Sequence, residues 1–426
     1  MDAAAPGIPP RPGGGASEPA PESQAADPLV SAKAKKINKL IVEGVMRAYR
    51  EKLRPLEHKS LFYQMHELLT DAEFGAAPNV LLVGQYSVGK TTFIRNLVGK
   101  DFGQNIGPEP TTDRFTAVFH GEPAIVPGNS LVMRADKPYR SLSRFGVGFL
   151  EKFEGASVNS EVLEELTFID TPGVLAGQKQ REGRGYDMRQ IVAYFAARSD
   201  MILLLFDANK LDISDEMREV IMAMKAHYNK LKVVLNKADT CDQQTLMRVH
   251  GALMWSLSPV IQHPEVTRVY TGSFRDDAYD PRGKASYALF DKERDDLLSD
   301  LYVLPRNNVM RKINALITRA RLAKVHCHLM NHIAEAIHAE KKKKQGQKKD
   351  ELLANLKPVY QATAAAQGLS PGDMPDPAKF AAFVASVDFS AFAPVDIKLV
   401  ATVERMLVDE LPLLMKLLPS EAPAVS

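Results

Sequence analysis

Gly84-Gln85-Tyr86-Ser87-Val88-Gly89-Lys90-Thr91 decides the fold of this chain. It fits G-x-x-x-x-G-K-[ST], the P-loop pattern. An apolar run, Val80-Leu81-Leu82-Val83, precedes it, and a helical stretch, Thr92–Leu97, follows it. The motif requires that context, because its glycines let backbone N–H groups curl round phosphates at a helix N-terminus. Lys90 is placed to reach the β- and γ-phosphates, and the Thr91 hydroxyl to bind Mg²⁺. Gly84 through Thr92 are therefore candidate nucleotide contacts.

Further motifs follow in order. Asp170-Thr171-Pro172-Gly173 stands just after Leu166-Thr167-Phe168-Ile169. An acid at a strand end facing a P-loop holds Mg²⁺ through water. Asn236-Lys237-Ala238-Asp239 follows Val233-Val234-Leu235 and fits N-K-x-D, the base-reading motif of GTPases, whose Asp accepts hydrogen bonds from guanine. Thr271-Gly272-Ser273 stands where such domains place a last base-contacting loop, with Ser273 the candidate. Between these motifs, Gly107-Pro108-Glu109-Pro110-Thr111-Thr112-Asp113 offers a threonine for Mg²⁺ and the γ-phosphate. Thr112 is the candidate and Thr111 its competitor. The catalytic set is thus Lys90, Thr91, Thr112 and Asp170, of which Thr91, Thr112 and Asp170 bear on the metal. Val174, next after the Asp170 motif, cannot orient a water as a glutamine there does, so hydrolysis by the isolated monomer is expected to be slow.

Five apolar runs alternate with helical patterns over 79–275, including Met201–Phe206 and Val269-Tyr270. That alternation predicts a P-loop GTPase-like α/β domain around a mostly parallel sheet. Flanking segments read as all-α. Ile37, Leu40, Ile41, Val45 and Ala48 keep helical spacing in a helix expected to end near Leu53-Arg54-Pro55. From about Pro305 the texture is again helical. The expected divisions are a Pro/Ala/Gly-rich disordered tail at 1–30, helical segments at 31–75 and 284–419, a nucleotide-binding domain at 76–283, and a short tail at 420–426.

The totals narrow the partners. Lys and Arg exceed Asp and Glu by only two among 426 residues, so bulk charge calls for no nucleic acid. Two cysteines, Cys241 and Cys327, are too few for a disulfide framework. No signal peptide and no bilayer-length apolar run stands in the sequence, so any membrane contact is expected to be peripheral and from the cytosolic side.

GQYSVGKTTFI, GPEPTTD, FIDTPGVL, RGYD, LLLFDANKLDISDE, LNKAD and LMRVHGALMW closely resemble the EHD family, the EH-domain-containing dynamin-like ATPases. The resemblance runs from about Ile37 to Pro419. It implies slow ATP hydrolysis with Mg²⁺, dimerisation through a tryptophan matching Trp255, and higher oligomers on curved anionic membranes. It also implies remodelling or tubulation of those membranes in endocytic recycling, at endosomes or the plasma membrane. The family's lysine-rich lipid-binding tip falls on Lys341, Lys342, Lys343, Lys344, Lys348 and Lys349. Here that stretch holds only Lys, Gln and Gly where the family usually has a phenylalanine, so the contact is expected to be electrostatic. Neither end carries an EF-hand pattern, so Asn-Pro-Phe peptide binding is not expected. Thr240 stands where animal members usually have methionine; ATP rather than GTP is therefore inherited from the resemblance.

From composition alone the lysine run reads as a solvated turn, and Trp255 as core. The resemblance favours lipid contact and a dimer anchor. His326-Cys327-His328 with His332 reads as a histidine cluster rather than a zinc site, for want of further ligands. Two readings compete with the remodelling ATPase: a nucleotide-gated scaffold with negligible turnover, and a regulatory GTPase.

Overall fold

The computed structural model describes residues 32–102, 113–174, 185–261, 267–275 and 279–418. Thr111, Thr112 and both predicted tails lie outside the described residues. Eight strands are described: β1 (Asn79–Gly84), β2 (Phe115–His120), β3 (Ala124–Pro127), β4 (Phe153–Val158), β5 (Thr167–Asp170), β6 (Met201–Asp207), β7 (Leu231–Asn236) and β8 (Val269–Thr271). They form one sheet in the order β3-β4-β2-β5-β1-β6-β7-β8. Pairing is antiparallel between β2 and β5 and between β3 and β4, and parallel elsewhere. The mostly parallel sheet is the expected one. Its central strands are buried on both faces, which is why they read as continuous apolar runs.

β2, β3 and β4 were not legible as runs. β4 carries Glu154, Gly155 and Ser157, and β3 is a largely exposed edge strand ending in Pro127. Gly155 is a packing requirement, since a Cβ there would come within 2.9 Å of the Leu131 and Phe119 side chains.

The helical part also departs from expectation. The helix Ala32–Ala48 does not end near Pro55; it passes through a π-turn, Tyr49–Leu53, into Arg54–Lys59. The same device recurs where the π-turn Met406–Glu410 precedes Pro412 in Leu411–Lys416. Proline has no N–H to donate and its ring crowds the carbonyl four residues back. Widening the preceding turn relieves that crowding without breaking the helix. The two π-turns face each other, and Lys52 of the first pairs with Glu410 of the second.

A 52-residue helix, Tyr287–His338, joins the two parts and keeps Pro305 in its interior. At 1.5 Å per residue it is about 78 Å long. Phe290, Leu297, Leu301 and Leu304 pack in the clusters flanking the sheet, whereas Val309, Ile313 and Leu316 pack with the other helices. The handover of the core thus falls between Leu304 and Val309, beyond the division expected at 283/284. It was missed because a helix lying on a sheet and a helix inside a bundle share one periodicity.

Ion pairs brace this junction. Arg311 pairs with Asp200, which accepts the Asn79 backbone N–H at 2.7 Å. Glu67 lies 3.5 Å from Arg144 and 3.6 Å from Arg198. Deeper in the helical part, Arg319 holds the fully buried Glu57 at 2.5 Å, and Tyr49 donates to the same carboxylate at 2.9 Å. Removing one partner of such a pair costs about 3–5 kcal/mol, because a buried charge is left uncompensated. His326 donates from Nε2 to the Ser60 carbonyl at 3.0 Å, while His332 lies 3.0 Å from the Thr363 hydroxyl. His326 and His332 are thus engaged by separate neighbours.

Candidate nucleotide-binding site

β1 lies between β5 and β6, so its C-terminal end opens at the middle of the sheet edge. The loop leaving it turns through Ser87 at φ 64° and Gly89 at φ 93°, then enters the helix Lys90–Val98. Left-handed residues in a tight loop aim successive N–H groups into one concavity, the shape that binds phosphate. Gly89 is required twice over: by its φ, and because a Cβ would lie 2.6 Å from Asn236 Nδ2.

Lys90 is buried, and its Nζ donates to the carbonyls of Gly84 at 3.2 Å and Gln85 at 3.1 Å. Burial lowers its pKa to about 8, with the charge of Asp170 opposing. Asp170 ends β5 in register with Leu82 of β1, fully buried. Burial raises its pKa, while Lys90 and the hydroxyl of Thr91 act the other way. Thr91 Oγ1 donates to Asp170 Oδ2 at 2.6 Å. Asp170 Oδ1 is buried with no hydrogen-bond partner. A buried carboxylate oxygen without a donor, beside a threonine hydroxyl and a P-loop, fits a hard cation such as Mg²⁺.

The segment after Asp170 is tied to the loop by backbone. Val174 N–H donates to Gly84 O at 3.1 Å, and Tyr86 N–H donates to Val174 O at 3.2 Å. The Val174 side chain is buried in the apolar cluster. That position therefore braces the loop and presents nothing polar.

The N-K-x-D residues also converge here. Asn236 donates from Nδ2 to Val88 O at 2.9 Å and accepts from Phe274 N–H at 3.0 Å, joining the P-loop to the loop after β8. Lys237, at φ 58°, donates to Ser87 O at 2.6 Å and pairs with Asp207 at 2.7 Å. Asp239 is fully buried, accepts from Asp280 N–H at 2.7 Å and pairs with Arg275. Ser273 Oγ is buried without a partner. Asp207 and Arg275 were missed in the sequence. Asp207 had a signal, an acid closing the apolar run Met201–Phe206 at the same sheet edge. Arg275 had none, because its partner is 36 residues away in a different motif.

The remaining candidates lie apart from this edge. Trp255 is 83% exposed on the helix Gln243–Leu257, whereas Leu253 and Leu257 on the other face are buried. Met247, eight residues before it, is 74% exposed. Lys341–Lys344 are exposed beyond the end of the long helix. Lys348 pairs with Glu351 at 3.1 Å. Lys349 is turned inward, donating to Ala385 O at 2.7 Å and Val387 O at 2.8 Å.

The Dynamin family model matches residues 80–238. A domain family of unknown function matches residues 307–415, beginning within the handover on the long helix. EH domain-containing protein 1 of Homo sapiens is 47% identical over 384 residues, covering 89% of this chain and 71% of the human protein. EH domain-containing protein 3 of Homo sapiens is 47% identical over 384 residues, with the same coverage of 89% and 71%. Among solved structures, an oligomerised bacterial dynamin pair aligns with TM-score 0.38 and 13% identity, covering 80% of this chain and 55% of that one. Toc33 from Arabidopsis thaliana, in complex with Mg²⁺ and GMPPNP, aligns with TM-score 0.34 and 13% identity, covering 61% and 96%.

Proposed function

This chain belongs to the family of EH domain-containing proteins, and from that premise we propose that it is an Mg²⁺-dependent ATPase that assembles on anionic membrane and reshapes it. The observation that carries the nucleotide part is the Thr91–Asp170 pair at the end of β1, with one Asp170 oxygen left unpartnered. Mg²⁺ held there would neutralise the oxygens of the β- and γ-phosphates. Lys90 and the loop N–H groups bind and orient the triphosphate. Asn236 and Lys237 hold the P-loop against the base-side loop. Thr112 is assigned the closing contact to metal and γ-phosphate.

Val174 limits the chemistry. No side chain at that position can orient a water, so turnover is slow until assembly completes the site. Trp255 and Met247, exposed on one helix, are the proposed anchors of a homodimer from which larger oligomers grow. The segments 32–75 and about 305–418 form the helical part that faces lipid, with Lys341–Lys344 as its basic tip. Among the described residues no helix is long and apolar enough to cross a membrane. Contact is therefore assigned to the tip, on the cytosolic face of endosomal or plasma membrane, within endocytic recycling.

Phosphate release with and without anionic liposomes tests this. Stimulation by liposomes, lost in Lys90→Ala, is expected. Binding of ATP with no release under either condition would favour the nucleotide-gated scaffold, for which the buried Val174 is the specific support. Sedimentation of Trp255→Ala tests the dimer, and a folded variant that stays dimeric removes that assignment.

A further inference from the structure

The aspartate of the N-K-x-D stretch is closed to solvent on every side. Asp239 is fully buried. Its Oδ2 accepts the Asp280 N–H at 2.7 Å and pairs with the Arg275 guanidinium, whereas its Oδ1 is buried with no hydrogen-bond partner. Its backbone is covered by Gly283, where a Cβ would come within 2.6 Å of the Asp239 carbonyl oxygen and 2.7 Å of its Cα. Arg275 leaves the loop after β8 one residue beyond Phe274, whose N–H is held by Asn236 at 3.0 Å. Asn236, Asp239 and that loop therefore form one hydrogen-bonded unit.

Guanine is read by a carboxylate that accepts from both its N1–H and its 2-amino group. Adenine offers no such pair, because its N1 is an acceptor and its 2-position carries only hydrogen. A guanidinium can occupy a carboxylate oxygen that guanine would otherwise use, and here Arg275 engages Oδ2 through its Nη2. We propose that Arg275 is the base-selecting residue of this site: its guanidinium, with the Asp280 N–H, occupies Asp239 Oδ2, so that guanine cannot place both its N1–H and its 2-amino group on the carboxylate, whereas an adenine nucleotide asks for neither. The inference rests on the triphosphate-site reading above. It adds a residue and a reason for the base.

The test is calorimetric affinity for Mg-ATP, Mg-GTP and Mg-ITP, using the full chain, Arg275→Met and Arg275→Gln, with Lys90→Ala as the control that should lose every nucleotide. The full chain should bind ATP most tightly, and GTP and ITP equally weakly, because with Oδ2 occupied the extra 2-amino group of guanine lacks the second oxygen it needs. Arg275→Met should lower the ATP-to-GTP affinity ratio at least about tenfold and separate GTP from ITP, as expected when a buried acceptor regains its donor. Thermal unfolding and retained ATP binding certify each variant as folded, and the milder Gln change serves if Met does not fold. An unchanged ratio in a folded variant overturns the role of Arg275 while leaving ATP binding in place. In the unaltered chain, GTP bound well above ITP shows Asp239 reading guanine and overturns the proposal without any variant. No nucleotide bound by the unaltered chain would overturn the triphosphate site itself.

Discussion

Thr91 Oγ1 donates to Asp170 Oδ2 across 2.6 Å, leaving Asp170 Oδ1 as a buried acceptor with no donor. One oxygen is thus committed to the chain and the other is available to a cation or its water. Asp170→Asn keeps the shape and removes the charge. The Mg²⁺-dependent part of nucleotide affinity should fall by about 1.5–3 kcal/mol, the scale of a charge-assisted contact. Affinity in EDTA should change little. Calorimetry under both conditions decides, and equal losses would make Asp170 a brace for the loop only.

Lys90 sets a pH dependence whose sign follows from burial. Burial lowers its pKa to about 8, so near that pH the amine is about half protonated. A bound triphosphate favours the cation. Binding at pH 8 should then draw in up to about half a proton, and affinity should weaken as pH rises above 8. Titration calorimetry in two buffers of different ionisation enthalpy measures that uptake. Lys90→Arg, permanently charged, should bind without it. Proton-neutral binding by the unaltered chain would place the Lys90 pKa well away from 8.

Motif order and the central strands were legible in the sequence because each is local: a glycine pattern, an acid at a strand end, an apolar run buried on both faces. What was not legible depends on distant partners. β4 reads as polar until Gly155 is seen admitting Phe119 and Leu131. Pro55 reads as a helix end until the π-turn Tyr49–Leu53 is seen relieving it. Asp239 reads as a base contact, but nothing local to its motif announces the distant Arg275 that pairs with its Oδ2. Lys349 reads as one more tip lysine until its ammonium is found on the carbonyls of Ala385 and Val387.

His326 makes the helical part acid-sensitive. Burial lowers its pKa to about 4, and the neutral ring donates to Ser60 O. The unfolded chain takes up a proton near pH 6.5, whereas the folded one resists until about 4. The stabilisation is therefore complete above about pH 6.5 and lost as pH falls towards 4, amounting to about 3 kcal/mol across that window. His326→Phe should be less stable at neutral pH by about 1–3 kcal/mol, the cost of leaving the Ser60 carbonyl without a donor. It should also show a flatter pH profile. Urea unfolding at pH 7.5 and pH 5 measures both, and an unchanged slope would exclude His326 as the titrating group.

The lysine stretch separates into two functions that one pair of variants can distinguish. Lys341–Lys344 are exposed, whereas Lys349 donates to Ala385 and Val387 at the end of the helix Pro377–Ser386 and lies 5.6 Å from the Phe389 ring. A cation on the last carbonyls of a helix satisfies acceptors that the helix itself cannot. Charge reversal at Lys341–Lys344 should abolish pelleting with anionic liposomes at moderate salt while leaving thermal unfolding unchanged. Lys349→Met should do the opposite, lowering stability by about 1 kcal/mol and retaining pelleting, because its charge is spent on the chain rather than on lipid. Liposome sedimentation beside a melting curve reads both variants in one preparation. Pelleting that survives reversal of all four exposed lysines would move the lipid contact away from the tip. Pelleting lost in a stable Lys349→Met would show that this ammonium leaves its carbonyls to meet the membrane.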